Sequence, residues 1–296
     1  MIARVVAVEY IRRMRGGSQA HLLRCSDGEY YVVKFQDNPQ GTRTLVNEAL
    51  AGVLAGRLGL PTPATAIVEV NSLFIKSTED LVIHLGRGRV GCRPGQCFGS
   101  RYPSEAGPSG GRVLLPVYGF LPEIPASHVA NTADFAGMLV FDKWTCNMDW
   151  RQVIFSRPTG TQDFRATMID NGFCFNGGEW DFPSVPLRGL CGRPAAYEAV
   201  RGIDSFEPWL QILDNTTGVH LLDQLADDIP PEWYARDMKP LIDLLAELEN
   251  RRQHVRALLW TTRSRLPQCF PNWGLKPSVI PHLPQQLERQ ATAGIV

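Results

Sequence analysis

FDKWTCNMDWRQVIFSRPTGTQDFRATMIDNGFCF, residues 141–175, is the stretch whose reading decides the fold. Asp149 follows an apolar, helix-like run and precedes a strand-like segment at residues 153–155. Asp170 ends a second strand-like run, residues 166–169, and is followed by Asn171-Gly172. Pro158-Thr159-Gly160 supplies the turn between the two strands. Acid, strand, turn, strand, acid puts two carboxylates at one end of a hairpin, an arrangement that suits a base and a metal ligand in phosphoryl transfer. Such chemistry also needs a cation for the phosphates and donors that lie over them, so the upstream chain has to supply both.

Residues 2–36 read as three strands. The first, Val-rich, covers residues 3–10 and continues to Met14; Gly16-Gly17-Ser18 then turns the chain, with glycine allowing close approach to a ligand. The second covers residues 19–25 and is closed by Asp27-Gly28, a strong hairpin signal. The third, residues 29–35, contains Lys34 between Val33 and Phe35. Alternation alone leaves Lys34 two readings, a solvent-facing residue or a phosphate ligand. Residues 42–58 carry Leu45, Val46, Leu50, Val53, Leu54 and Leu58 at helical spacing, and Gly59 and Pro61 stop the helix. Glu48 shares a stripe with the small residues Gly52, Ala55 and Gly59, which turns it toward a neighbouring sheet; an exposed helix glutamate is the alternative. Strand, turn, strand, turn, strand with lysine, helix with glutamate is the order of a kinase small lobe, where the glutamate orients the lysine. A turn such as residues 15–18 would offer backbone N–H donors to phosphate.

Further along, residues 64–70 and 72–75 read as strands and residues 78–85 as a short helix. Residues 86–111 are glycine-rich and read as a loop, long enough to be functional. Within that loop, Phe98-Gly99-Ser100-Arg101-Tyr102-Pro103 stands as a ligand contact or an ordered surface segment. Residues 112–118 are strand-like, and Pro116, Gly119, Pro122 and Pro125 mark a stiff hinge. A helix capped by Asn131 or Thr132 runs to about Trp144. After the hairpin, residues 176–193 are irregular, and helices are expected near 205–213, near 221–226 and, as one long piece, around 238–260.

Composition narrows the partners. Thirty basic and thirty acidic residues cancel, so no global field favours nucleic acid or an anionic membrane. The N-terminus reads as a strand rather than a signal peptide, and no apolar run reaches the ~18 residues that cross a bilayer. The seven cysteines are scattered without a C-x-x-C pair, which speaks against a zinc knuckle and for reduced thiols in a cytoplasmic protein.

GGSQAHLL, YYVVKF, NEALAGVLAGRLGLP, FGSRYP, FLPE, FDKWTCNMDWRQVIF and IDNGF, spread over residues 5–265, together resemble the HipA-like kinase domains. Those domains are related in fold to protein kinases and phosphatidylinositol kinases. The resemblance implies an α+β, bilobal protein-kinase-like fold: an antiparallel-sheet N-lobe with one helix over residues 1–122, a mainly helical C-lobe over 123–275, and a Pro-rich tail over 276–296. It implies ATP and Mg2+ at the lobe interface, with Gly16, Gly17 and Ser18 over the phosphates, Lys34 on them, Glu48 paired to Lys34, Asp149 catalytic and Asp170 on the metal. The acceptor, protein or small molecule, stays unnamed. Two departures stand out. Cys146-Asn147-Met148 precedes Asp149 where protein kinases carry His-Arg, and Ile154 stands where an asparagine metal ligand is expected. Gln152 is the nearest polar substitute, with Asn147 another. The expectation is therefore an ATP-dependent kinase acting on a hydroxyl. A pseudokinase that binds nucleotide without transfer is the alternative, and a small-molecule kinase with an acidic acceptor pocket a third.

Overall fold

The computed structural model describes residues 2–86, 88–108, 110–119, 128–185, 187–193, 195–215 and 227–274. In chain order its first elements are β1 (Ala3–Arg13), β2 (His21–Cys25), β3 (Tyr30–Lys34), helix α1 (Arg43–Arg57), β4 (Thr65–Val70), α2 (Ser72–Lys76), β5 (Val82–Leu85) and β6 (Gly88–Gly91). Next come β7 (Gly95–Arg101), β8 (Ser104–Ala106), β9 (Arg112–Leu114), β10 (Val117–Tyr118), α3 (Asp134–Trp144), β11 (Gln152–Ser156) and β12 (Arg165–Ile169). Helices α4 (Glu207–Asn215), α5 (Met238–Arg252) and α6 (Val255–Arg265) follow.

Five strands close into a barrel in the order β1-β2-β3-β7-β4. The expected sheet was wholly antiparallel; the seam between β1 and β4 is parallel instead. The crossover through α1 returns β4 in the same direction as β1, so closure demands a parallel pair. Inside the barrel lie Val5, Leu23, Tyr31, Val33, Phe35, Val68 and Cys97. Alternation along β3 therefore sends Val32 and Lys34 out of the barrel, toward α1 and the cleft beside it. Helix α1 lies close on β4, since a Cβ at Gly52 would collide with the Thr65 methyl. A second apolar core is continuous from α1 (Leu45, Leu50, Leu54) into α3 (Leu139, Phe141) and the later helices (Trp209, Leu244, Leu259). Hairpin β11–β12 packs its Val153, Phe155, Ala166 and Met168 into it.

Several expected elements change type. Residues 72–75 are helical, because Asn71 Oδ1 accepts the Phe74 N–H at 2.8 Å and caps the turn. Residues 82–85 form a strand paired with β6 rather than a helix. Segment 86–111 is not a loop: β7 lies between β3 and β4 in the barrel. Its glycine marks close packing, for a Cβ at Gly99 would come within 2.5 Å of Val68 Cγ2. Asn131 does not cap α3; its amide bonds Asp134 Oδ2 at 2.8 Å and the Ala166 carbonyl at 2.9 Å, tying the helix to β12. The long helix breaks at Gln253-His254 into α5 and α6. All seven cysteines are free, Cys92 and Cys97 included. The expected FLPE segment, Pro122 and Pro125 of the hinge, the helix near 221–226 and the tail from 276 lie outside the described residues.

Candidate active site

Lys34 leaves β3 toward α1, and its ammonium is bonded to Glu48 Oε1. Both residues are buried, Lys34 7% and Glu48 3% exposed. The same ammonium reaches Asp170 Oδ1 at 2.8 Å, so one lysine joins the barrel, α1 and the end of β12. Glu48 uses its other oxygen, Oε2, to accept the Asn171 N–H at 3.0 Å. This fixes the carboxylate at both ends and ties α1 to the segment after Asp170.

Asp170 adopts a left-handed backbone, φ +60°, which an aspartate tolerates better than a branched residue would. The turn redirects the chain immediately after β12. Asp170 Oδ2 accepts the Gln152 amide at 3.0 Å. Beneath it, Asn47 of α1 donates to the carbonyls of Gly172, Cys174 and Gly177 at 2.8, 3.0 and 2.7 Å, and the Trp180 indole N–H closes the network on Asn47 Oδ1. Arg151 works from the other side. It holds Asp142 through Nε at 2.9 Å and through Nη2, and its Nη1 donates to the Ile169 carbonyl and Asn171 Oδ1 at 2.9 and 3.0 Å. The sequence reading missed Arg151, Asp142 and Asn47. Nothing in periodicity marks them, because each is a polar residue whose burial is decided by distant backbone.

A cleft of about 340 Å3 runs between the barrel and the β11–β12 hairpin. All eight residues singled out from sequence line it: Gly16, Gly17 and Ser18 on one side, Lys34 and Glu48 at the back, and Asp149, Gln152 and Asp170 on the other. Val32, Phe98, Val117, Ile154 and Ile169 give it apolar walls. Ser100, Arg101, Tyr102 and Pro103 line it too, so the distinctive segment read as a contact or a surface loop is both a barrel strand and a cleft wall. A wider groove of about 730 Å3 against residues 157–162 contains none of the eight.

Asp149 is set by backbone. The Met148 N–H bonds the Phe173 carbonyl at 3.0 Å, the Asp149 N–H bonds Asn147 Oδ1 at 3.1 Å, and the Trp150 N–H bonds Asp149 Oδ1 at 2.8 Å. Asn147 also donates to Asp142 Oδ1 at 2.9 Å and is buried. Its amide is thus spent on the scaffold, which leaves Gln152 as the polar substitute that faces the cleft.

Burial disfavours a charged Lys34, but the Glu48 and Asp170 carboxylates outweigh it and raise its affinity for the proton above that of an ordinary lysine. Burial pushes Glu48 upward against the pull of Lys34. Burial also opposes ionisation of Asp170, yet Lys34 and the bonds it accepts hold that carboxyl below the usual range. At neutral pH the cleft therefore keeps an ammonium and an ionised Asp170 side by side. Among the described residues no three His, Cys, Asp or Glu gather as a metal cage, and no helix is long and apolar enough to cross a membrane.

The Helicobacter pylori proinflammatory kinase CtkA is similar over 90% of this chain and 99% of its own, with a TM-score of 0.53 at 12% identity. That likeness shows a protein-kinase-like fold of mixed helix and sheet. Hydra Fam20, solved with sugar, matches 89% of this chain and 86% of its own at 12% identity and a TM-score of 0.49. The Golgi casein kinase, solved with Mn/ADP bound, matches 94% and 77% at 14% identity and 0.45. No curated protein matches the sequence. The profile described as HipA-like kinase matches residues 7–155, half of the chain, from within β1 through most of β11. With the lysine–glutamate pair and Asp149 inside that span, the chain belongs to the HipA-like kinase family.

Proposed function

We propose that the protein is an ATP-dependent kinase that transfers the γ-phosphoryl group to a hydroxyl. The observation that carries this reading is the Glu48–Lys34–Asp170 bridge at the back of a cleft that Asp149 and the glycine turn also line. ATP would place its base against Val32, Phe98, Val117 and Ile154, and its phosphates between Lys34 and the N–H groups of Gly16, Gly17 and Ser18. Its sites fall on both sides of the division expected near residue 122. Magnesium takes one or two carboxylates and completes its shell with phosphate and water, so Asp170 with Gln152 suits it better than a full protein cage would. When bound, it would neutralise charge on the phosphates. Asp149 accepts the acceptor's proton as the new O–P bond forms and the bond to the β-phosphate breaks, releasing ADP.

Mg-ATP at 100-fold excess over its Kd should stabilise the fold by about 2.7 kcal/mol, read as a raised melting midpoint. Asp149→Asn should keep that shift and lower transfer by about 10²–10⁴-fold. No shift up to millimolar Mg-ATP would sink the nucleotide reading, and full transfer by Asp149→Asn would remove the role of that residue.

The second reading is a pseudokinase. Ile154 lines the cleft where a metal-ligating asparagine is expected, and the Gln152 amide presents its NH2 to Asp170. Both favour nucleotide binding without transfer. A retained Mg-ATP shift with no phosphoryl transfer to protein or small-molecule acceptors would decide for it.

A further inference from the structure

Asp149 borders a second concavity, of about 200 Å3, whose other lining residues are Trp150, Leu187, Arg188 and Gly189. It meets the nucleotide cleft at the residue read above as the base. Trp150 and Leu187 are 57% and 42% exposed, although both are large and apolar. The backbone beneath them is held firmly. The Gly189 N–H bonds the Asp149 carbonyl at 3.2 Å, and the Arg188 carbonyl accepts the Lys143 ammonium. A Cβ at Gly189 would come within 2.6 Å of Asp142 Cβ, so the chain passes too close to α3 for any other residue. The Trp150 ring leans on Gly192, where a Cβ would sit 3.4 Å from Cε3. An apolar pair on a fixed floor beside a reactive carboxylate is how specificity sites are built.

Size and charge then select the occupant. At about 200 Å3 the groove is smaller than the ~300–1,000 Å3 of a pocket that engulfs a small molecule, which suits side chains of a segment laid across it. Among the described residues the Arg188 guanidinium has no hydrogen bond or ion pair, and Asp149 is the only carboxylate lining the groove. An aminated small molecule would find only one acid there. A carboxylate next to the hydroxyl would find an unspent cation.

We propose that this groove is the acceptor subsite for a protein segment in which the phosphorylated serine or threonine is flanked by one bulky apolar and one acidic residue. The apolar side chain packs on Trp150 and Leu187, and the acidic one pairs with Arg188. The proposal rests on the kinase reading of Asp149 and names the acceptor that this reading left open.

The test is fluorescence anisotropy with the full chain, a nonhydrolysable Mg-ATP analogue and two labelled peptides. One has serine flanked by leucine and glutamate, the other serine flanked by alanine and lysine. The first should bind about tenfold tighter, as one filled apolar anchor and one charge pair would give. Arg188→Glu should reverse the charge preference; Trp150→Ala should abolish the leucine preference and Trp150→Phe should keep it. None of these should alter the melting shift with Mg-ATP. Equal binding of the two peptides, or preferences unmoved by the variants, overturns the proposal. A Mg-ATP shift without peptide preference removes the groove alone, whereas peptide preference without a Mg-ATP shift removes the nucleotide reading and keeps the groove.

Discussion

Lys34 and Lys143 are both buried, yet their surroundings treat charge in opposite ways. Lys34 faces two carboxylates, Glu48 and Asp170, and is pushed above an ordinary lysine despite its burial. Lys143 is pulled down to about 8, first by burial and then by the nearby Arg251, with Asp142 opposing. The difference lies in what else each acid must satisfy. Asp142 is engaged on both oxygens by Arg151, and both side chains are fully sealed. The Lys143 ammonium donates to the Arg188 carbonyl, which carries no full charge. On the cleft side two acids share one cation, and Asp170 lines the cavity beside it. On the sealed side acid and cation cancel. The same residue types line an open cleft in one place and a sealed scaffold in the other, and the stoichiometry of charge differs between them.

Four substitutions test this contrast. Asp142→Ala should have the largest effect, about 3–5 kcal/mol lost in urea unfolding, because it strands the buried Arg151 guanidinium. A loss below 1 kcal/mol would mean that water reaches Arg151 and that the pair is not sealed. Glu48→Gln should cost less, about 1–3 kcal/mol, since Lys34 keeps Asp170 and opens on the cleft. It should also weaken the Mg-ATP shift, and an unchanged shift would detach Glu48 from the binding site. Lys143→Met reads out through pH. With its folded value near 8 and its ordinary value at 10.5, the unfolded chain binds the extra proton between those limits. Stability of the native protein therefore rises from about pH 8 to about pH 10.5. The methionine variant should show a flatter slope across that window, and an identical slope would refute the depressed lysine. Gln152→Ala should be the mildest, within about 0.5 kcal/mol, because its side chain is exposed. What it should raise is the concentration of Mg2+ needed for the ATP shift, since the metal loses the Gln152 oxygen beside Asp170.

Legibility varied along the chain for physical reasons. Strands β1–β3 and helix α1 announce themselves because alternation and 3.6-residue spacing are local properties. β7 did not, since Gly95 and Gly99 read as loop residues while Gly99 is required by contact with Val68 and Tyr31. Residues 72–76 became a helix because one Asn71 cap outweighed the β-propensity of Leu73, Phe74 and Ile75, and residues 82–85 a strand because they pair with β6. The eight candidate site residues line one cleft, yet of the ties that hold them there only the Lys34–Glu48 pair was legible in the sequence. Asn47, Asp142 and Arg151 act on backbone carbonyls and on one another across 9 to 130 positions.

By itself, the sequence determined that residues 141–175 form a hairpin with Asp149 before its first strand and Asp170 after its second, and that Lys34 and Glu48 lie on a strand and the helix after it. Those are consequences of local propensity and of chain order. Tertiary structure alone decided that Lys34, beyond its expected partner Glu48, also reaches Asp170, that Asn147 is committed to Asp142 while Gln152 faces the cleft, and that Asp149 borders a second groove. Each depends on which groups meet after the barrel closes and α1 packs, and on which of them burial leaves without another partner.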